Sequence, residues 1–419
     1  MRRASLLVFS FYLLVFSSCQ FGGPKLYDPA QVKFHAEYNP LYENQFYPSL
    51  VMAVDHTIRR SATASGANSQ LFSVSVTAPT NHAVLRVTID SSRLNYVTIF
   101  QEELPRRGER YTFYPSVKWK FDKLYALRQR GTADLTFTCY INDEEVDIDN
   151  VRINYHSVGD CLLSIRDTAG KLNDFRWMIA AYVNEEHPYI DSILASMLQS
   201  GIITKIDGYQ SSREQVIKQA EAIWYYALSH GIAYSSVSCT TNPTKNTNVQ
   251  HIRFFDEVYS LHQANCVDAC VFFASVMRKI GLKPVIFIAP CHAYLGYYTD
   301  KNRKRLNLLE TTITAWTNFP ALDRAYRPDA QGADRLPKEQ YDKVSKYLTV
   351  QQRSQWENGT LSFVDLKRAV SHTLFVRATN YDVEQHSQNL PHYNNPDEIR
   401  YQQLDIEQLR QYVNPITEN

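Results

Sequence analysis

Three residues whose side chains could carry out nucleophilic catalysis follow one another in the second half of this sequence: Cys266, His292 and Glu310. Cys266 precedes an apolar run over residues 271–277, which predicts a buried helix with the thiol at its N-terminus. The partial positive charge at that end of a helix favours a thiolate over a thiol. A thiol, an imidazole and a carboxylate are together the parts of a cysteine nucleophile, its base and the group that orients the base.

Short segments after that helix must bring the imidazole and the carboxylate to the thiol. The helix closes at Gly281, and apolar or alternating runs then predict three strands, over residues 284–288, 292–298 and 306–310. The polar, basic connection over residues 299–305 is short, which predicts a solvated hairpin turn between antiparallel strands. We therefore expect the imidazole and the carboxylate to lie at neighbouring register on the two strands, with side chains about 5 Å apart.

Read in order, these motifs resemble the transglutaminase-like superfamily of papain-type cysteine enzymes. The resemblance covers roughly residues 210–315 and rests on four stretches: Cys266-Val267-Asp268-Ala269, Arg278-Lys279-Ile280-Gly281, His292-Ala293 and Leu309-Glu310-Thr311-Thr312. It implies an α+β fold with a papain- or transglutaminase-like core, in which a helix packs on an antiparallel sheet. It also implies that Cys266 is the nucleophile, His292 the general base and Glu310 the orienting acid of a catalytic triad.

Three positions depart from the family pattern. Glu310 stands where Asp is usual, Asn265 precedes the nucleophile where Gly, Tyr or a small residue is common, and Cys291 lies directly before His292. The extra methylene of Glu can still reach an imidazole, although the strand register must then differ slightly. An inactive descendant that only binds its ligand is therefore an alternative to an active enzyme.

Other polar residues near the predicted nucleophile have assignable roles. The oxyanion hole is expected to combine the backbone N–H of Cys266 with one side-chain donor, from Gln263, Asn265 or Tyr234. Asp268 lies in the first turn of the predicted helix, where a carboxylate stabilises the helix dipole, so it is not assigned to catalysis.

A zinc site is the rival interpretation of the Cys and His residues, because Cys266, Cys270, Cys291 and His292 are suitable ligand types. Cys291 and His292 are adjacent on a predicted strand and would point to opposite faces. Cys270 lies within the apolar run, where a buried small hydrophobe is expected. The sequence also lacks a Gly-rich phosphate loop. We therefore predict neither a metal nor a cofactor.

The N-terminus has the pattern of a bacterial lipoprotein signal. Arg2-Arg3 is followed by an apolar core over residues 6–16 and then by Ser17-Ser18-Cys19. Residues 1–19 are predicted as the signal peptide with a lipidated Cys19, and residues 20–30 as a tether. Gln20 follows the Cys where Asp would resemble an inner-membrane retention signal, so the lipid is expected to anchor the protein to the outer membrane. An ordinary secretory signal or a signal anchor is the alternative.

Composition and patterning divide the remaining chain. A net charge of +1 over 419 residues predicts no general attraction to nucleic acid. Period-two alternation, as in residues 71–76, 83–89 and 133–141, predicts an immunoglobulin-like β-sandwich over residues 31–160. Residues 161–325 are predicted as the transglutaminase-like domain, and residues 326–419 as a helical C-terminal extension.

These patterns together predict a lipid-anchored thiol hydrolase of the bacterial cell envelope. It would cleave an amide in a peptide or protein substrate through a Cys-His-Glu triad and a thioester intermediate. Two other functions are compatible with the residues. One is an inactive transglutaminase-like protein that binds a peptide or a glycan in the former active-site groove. The other is a glycan-uptake accessory in which the β-sandwich is the working module.

Overall fold

The computed structural model describes residues 27–58, 70–235, 244–328, 334–381, 383–395 and 398–418, which form a mixed α+β protein, as the sequence predicts. The strands of these segments are β1 (Phe34–Tyr38), β2 (Gln45–Phe46), β3 (Phe72–Thr77), β4 (Ala83–Ile89), β5 (Thr98–Leu104), β6 (Arg110–Phe113), β7 (Gly131–Ile141), β8 (Glu144–Tyr155), β9 (Asp160–Arg166), β10 (Leu172–Asp174), β11 (Ala233–Tyr234), β12 (Thr247–His251), β13 (Gln263–Ala264), β14 (Pro284–Ala289), β15 (His292–Tyr298), β16 (Leu306–Leu309), β17 (Arg327–Pro328), β18 (Asp334–Arg335) and β19 (Gln402–Asp405). The helices are α1 (Pro48–Ile58), α2 (Phe121–Tyr125), α3 (Tyr189–Gln199), α4 (Arg213–Ser229), α5 (Phe255–Leu261), α6 (Cys266–Lys279), α7 (Phe319–Ala325), α8 (Lys338–Ser345), α9 (Val350–Glu357), α10 (Phe363–Asn380), α11 (Val383–Tyr393) and α12 (Ile406–Leu409). Short 3-10 helices cover Pro29–Gln31, Pro40–Tyr42, Arg176–Tyr182 and Thr311–Trp316.

The predicted signal peptide, its Cys19 and most of the predicted tether lie outside the described residues. Within the segments that the structure describes, no helix combines the length and the apolar character needed to cross a bilayer.

Two sheets occupy the N-terminal part of the chain. One has five strands in the order β2-β8-β7-β4-β5, and the other has three in the order β1-β3-β6. Strand β4 shows the pattern that produces them, because alternate side chains from Ala83 to Ile89 are buried and those between are exposed or half-buried. The strands predicted over residues 71–76, 83–89 and 133–141 are confirmed by β3, β4 and β7.

A four-stranded antiparallel sheet in the order β16-β15-β14-β19 lies further along the chain, and helix α6 packs against β14 and β15. Every residue of α6 from Val267 to Met277 is buried, which is typical of a helix inside a core. Strands β15 and β16 pair antiparallel, with Leu295 opposite Leu309, so the predicted hairpin is confirmed. Helix α6 begins with Cys266, β15 begins with His292, and Glu310 directly follows β16.

The segment predicted as a helical extension contributes a strand to that sheet. Strand β19 pairs antiparallel with β14, and Leu404 lies opposite Ile286. Arg303, in the turn that was expected to be solvated, pairs with Asp405 at 2.6 Å and also with Glu407. The turn is therefore bound to residues near the C-terminus. These contacts join residues on both sides of position 325, where the sequence predicts a domain boundary.

A substitution at Leu404 tests whether strand β19 unfolds together with the core. Its side chain is 3% exposed, and we expect Leu404→Ala to lower the free energy of unfolding by about 2–5 kcal/mol, because it removes buried methyl groups and leaves a cavity. Leu390, 41% exposed on α11, is the matched control, and Leu390→Ala should change stability by less than about 0.5 kcal/mol. Urea unfolding measures both values. Equal small effects would mean that residues 402–405 are not part of the core.

A buried carboxylate, Asp160, joins the N-terminal sheets to the rest of the protein. It contacts Nδ1 of His156 at 3.3 Å, Nδ1 of His251 at 3.1 Å and Nε of Arg130 at 3.4 Å. Burial alone would raise the pKa of Asp160, but the two histidine hydrogen bonds and the Arg130 charge outweigh it and hold that pKa well below its usual range. The hydrogen bond to Asp160 in turn raises the pKa of His251 against the opposing effect of burial.

The raised pKa of His251 predicts a pH-dependent contribution to stability. The folded protein holds the ring proton more tightly than the unfolded chain, so the contribution is complete below the unfolded-state pKa and is lost as pH rises through the folded-state pKa. We expect the stability difference between the wild type and His251→Gln to be largest near about pH 6 and to shrink by about pH 8.5. Urea midpoints across this range measure it. A difference that stays constant or grows would contradict the assignment.

Candidate functional site

Cys266 is the first residue of α6, as predicted, and a capping box fixes the start of that helix. Oδ1 of Asn265 accepts hydrogen bonds from the backbone N–H groups of Val267 and Asp268, each at 2.9 Å. In return, the backbone N–H of Asn265 donates to Oδ2 of Asp268 at 3.0 Å. The Cys266 side chain is half-buried, so the thiol lies at the positive end of a well-defined helix and still reaches solvent.

Asp268 has a larger structural role than the dipole effect expected from its position. Its side chain is fully buried, and Oδ1 accepts from the backbone N–H of Arg253 at 2.9 Å while Oδ2 accepts from Nη1 of Arg253 at 2.8 Å. The carboxylate thus receives three hydrogen bonds, two from Arg253 and one from Asn265. It connects the residue that precedes the thiol to the segment that follows β12.

His292 and Glu310 are in direct contact. Nε2 of His292 lies 2.7 Å from Oε2 of Glu310, and the Glu310 side chain is 1% exposed. The other carboxylate oxygen, Oε1, accepts from the backbone N–H of Thr312 at 2.8 Å. The backbone N–H of Glu310 donates to the carbonyl of Ala378 in α10 at 3.0 Å. The carboxylate is therefore held in one orientation, as a group that orients an imidazole must be.

The geometry of this pair differs from the expected strand-to-strand contact. Strand β16 ends at Leu309, and Glu310 instead caps the 3-10 helix Thr311–Trp316. Because Leu295 pairs with Leu309, Glu310 is two residues out of register with His292. Diagonal positions of this kind are about 7–8 Å apart, a distance that long side chains can bridge. The extra methylene of Glu relative to Asp provides that reach.

Tyr234 relates all three candidate groups to one another. Its strand β11 pairs in parallel with β13, which places Tyr234 beside Ala264, two residues before Cys266. Burial is the largest cause of the raised pKa of Tyr234. Negative charge on Cys266 and on Glu310 also raises that pKa, and positive charge on His292 lowers it. Tyr234 therefore lies within electrostatic range of all three groups.

The two other predicted oxyanion donors are placed less favourably. The side chain of Asn265 is held in the helix cap through Oδ1, and the residue is 3% exposed, so its Nδ2 donor is fixed in a buried position. Gln263 is exposed on the short strand β13. Tyr234 is half-buried and senses the charge of all three groups, so it is the best placed of the three.

The remaining cysteines near the site have contrasting environments. Cys270 is fully buried, and burial, followed by charge on Cys266 and Glu310, raises the pKa of its thiol well above the ordinary value. Cys291 is exposed, in a left-handed backbone conformation with φ 60°, immediately before β15. Outside the site, Cys139 in β7 and Cys161 in β9 are buried free thiols. No group of three or more Cys, His, Asp or Glu residues able to hold a metal occurs among the described residues.

Several residues beside His292 belong to no motif in the sequence that would predict their place at the site. Tyr294, Gln385, Asn389 and Tyr401 line a cavity together with His292. The spacing of Gln385 and Asn389 indicates one face of a helix. Nothing in the sequence relates that helix to β15, because the contact joins segments about ninety residues apart.

Comparison with known proteins identifies no family for this chain. No protein-family model matches the chain, and no curated protein shows a significant match to it. The geometry of the site is therefore the basis for a functional proposal.

Asp268 offers a test of the network that supports the start of α6. We expect Asp268→Ala to lower the free energy of unfolding by about 3–5 kcal/mol, because it leaves Arg253 without its buried partner and opens the helix cap. Asp191 is the matched control, since it also lies three residues after the N-cap of its helix, α3, but is exposed. Asp191→Ala should cost less than about 1 kcal/mol. Chemical unfolding measures both, and similar values would contradict the assigned role.

Proposed function

We propose that this protein is a thiol hydrolase, a transglutaminase-like cysteine peptidase or amidase that uses Cys266, His292 and Glu310. The observation that carries the proposal is the 2.7 Å contact between Nε2 of His292 and Oε2 of Glu310. A buried carboxylate that is bonded to a partly exposed imidazole, on a strand against which the capped helix of Cys266 packs, supports nucleophilic catalysis. The packing of α6 on an antiparallel sheet supports a papain-like core.

The bond to Glu310 assigns separate roles to the two ring nitrogens. It keeps the proton of the neutral ring on Nε2, so Nδ1 is the base that takes the thiol proton of Cys266. The thiolate attacks the carbonyl carbon of the amide and forms a tetrahedral intermediate. The protonated Nδ1 then gives its proton to the departing amine, the C–N bond breaks and a thioester remains.

Water completes the reaction. His292 takes a proton from a water molecule, the hydroxide attacks the thioester carbonyl carbon, and the C–S bond breaks to release a carboxylic acid. The protonated His292 ring returns its proton to the sulfur, which restores the thiol, so the net change is hydrolysis of one amide to an acid and an amine. We assign the oxyanion of both tetrahedral intermediates to the backbone N–H of Cys266 and the hydroxyl of Tyr234.

The rest of the chain supports a location in the cell envelope. The lipoprotein pattern that ends at Cys19 would anchor the protein through a lipid, and the tether would connect it to the first strands. We propose that the two N-terminal sheets form an immunoglobulin-like spacer or binding module. A binding-only protein would no longer need Glu310 to face His292, so the contact between them does not favour that alternative.

Alkylation of the folded protein tests the proposal without a known substrate. We expect iodoacetamide near neutral pH to label Cys266 at least about tenfold faster than Cys291, although Cys291 is the more exposed thiol, because a base-assisted thiolate reacts and a thiol does not. Peptide mapping by mass spectrometry gives the rate at each cysteine. His292→Ala should bring the Cys266 rate down to that of Cys291.

Glu310→Gln is the companion variant, because it keeps the size of the side chain and removes its charge. The Cys266 rate should fall to a value between those of the wild type and His292→Ala. If wild-type Cys266 labels no faster than Cys291, the enzyme proposal fails and the binding alternative takes its place.

A further inference from the structure

A cavity of about 210 Å³ opens beside the candidate base. It is lined by Ala289, Pro290, His292, Tyr294, Gln385, Asn389 and Tyr401. One wall is the end of β14, the turn after it and β15, and the opposite wall is α11 together with Tyr401. The lining includes the imidazole of His292 but not Cys266, so the cavity lies on the side of the base.

Helix α11 is fastened to the sheet by an aromatic cluster. The hydroxyl of Tyr294 lies 2.8 Å from Nδ1 of His386 and 3.0 Å from the hydroxyl of Tyr393. The Tyr294 ring also stacks on Phe287, with ring centroids 5.2 Å apart. These contacts hold Gln385 and Asn389, one helical turn apart, on the wall that faces His292.

The chemistry of the lining is neutral and polar. Apart from the imidazole, the lining consists of two carboxamides, two phenols, an alanine and a proline. None of these side chains ionises near neutral pH. Burial lowers the pKa of His386, which keeps the ring behind this wall uncharged as well. Each carboxamide can both donate and accept a hydrogen bond. A charged guest would find no counter-ion among the lining side chains, whereas a carboxamide or hydroxyl group would find matching hydrogen-bond partners.

We propose that this cavity binds the leaving-amine side of an amide substrate and selects a small neutral polar side chain there. The assignment rests on the proposed hydrolase activity, because His292 must donate its proton to the nitrogen of the departing amine. The residue that carries this nitrogen then lies on the side of the base, next to Gln385 and Asn389. At 210 Å³ the space is smaller than a pocket for a whole ligand and suits a single side chain.

Binding of product-like amines tests the cavity directly. Glutaminamide, lysinamide and the α-amide of glutamate share the backbone of a released amine and differ in side-chain charge. Titrated into the full folded protein and followed by NMR, glutaminamide should bind at least about tenfold more tightly than the two charged amides. Gln385→Ala and Asn389→Ala should each weaken glutaminamide binding by roughly threefold to tenfold.

Two further variants complete the experiment. Asn389→Asp keeps the shape of the side chain and adds a negative charge, so it should shift the preference toward lysinamide. Gln388, an exposed neighbour that does not line the cavity, is the control, and Gln388→Ala should bind all three amides as the wild type does. Equal affinities for the three amides, no detectable binding of glutaminamide, or unchanged binding in both alanine variants would overturn the proposal.

The two proposals fail in different ways. Amine binding does not use the thiol, so the Cys266→Ser variant should discriminate among the amides as the wild type does. Fast labelling of Cys266 together with indiscriminate amine binding would keep the hydrolase and remove this subsite. Selective amine binding together with an unreactive Cys266 would remove the hydrolase and leave a binding site for neutral polar groups.

Discussion

A carboxylate that is almost completely removed from water determines how this site is built. Burying Glu310 would cost several kcal/mol without hydrogen-bond partners, so the surrounding chain has to supply them. One oxygen meets the ring of His292 and the other meets the backbone of Thr312. The second contact requires β16 to stop at Leu309 and a 3-10 helix to begin, because a continued strand would aim the Thr312 N–H elsewhere. The position of the imidazole thus depends on how a strand ends.

The nucleophile end of the site has a second buried carboxylate with a comparable role. Asp268 holds Asn265 on one side of Cys266 and Arg253 from the preceding segment. Arg253 lies two residues after His251, which pairs with Asp160. A short stretch of chain, residues 251–253, therefore connects the partner of one buried acid to the partner of the other.

Local patterns predicted the elements but not their long-range partners. The start of α6 follows from the apolar run that Cys266 precedes, and β15 follows from its own run of residues and the polar turn after it. Both signals reside in neighbouring residues. The pairing of Leu404 with Ile286, the contact of Arg303 with Asp405 and the docking of α11 beside Tyr294 join segments that are distant in sequence. No local periodicity encodes them, because the free energy that selects them comes from burial and pairing in the folded state.

The same long-range contacts change how the C-terminal residues should be understood. The carbonyl of Ala378 in α10 receives the backbone N–H of Glu310, α11 forms a wall of the cavity at His292, and β19 completes the sheet. The first two involve a residue of the candidate triad, and β19 pairs with β14, the neighbour of the strand that carries His292. A hairpin alone would leave β14 with an unpaired edge and Glu310 without its backbone acceptor. The residues after the predicted boundary therefore help to position the imidazole. Their mostly helical pattern does not indicate this role, because the contacts involve one short strand and one face each of α10 and α11.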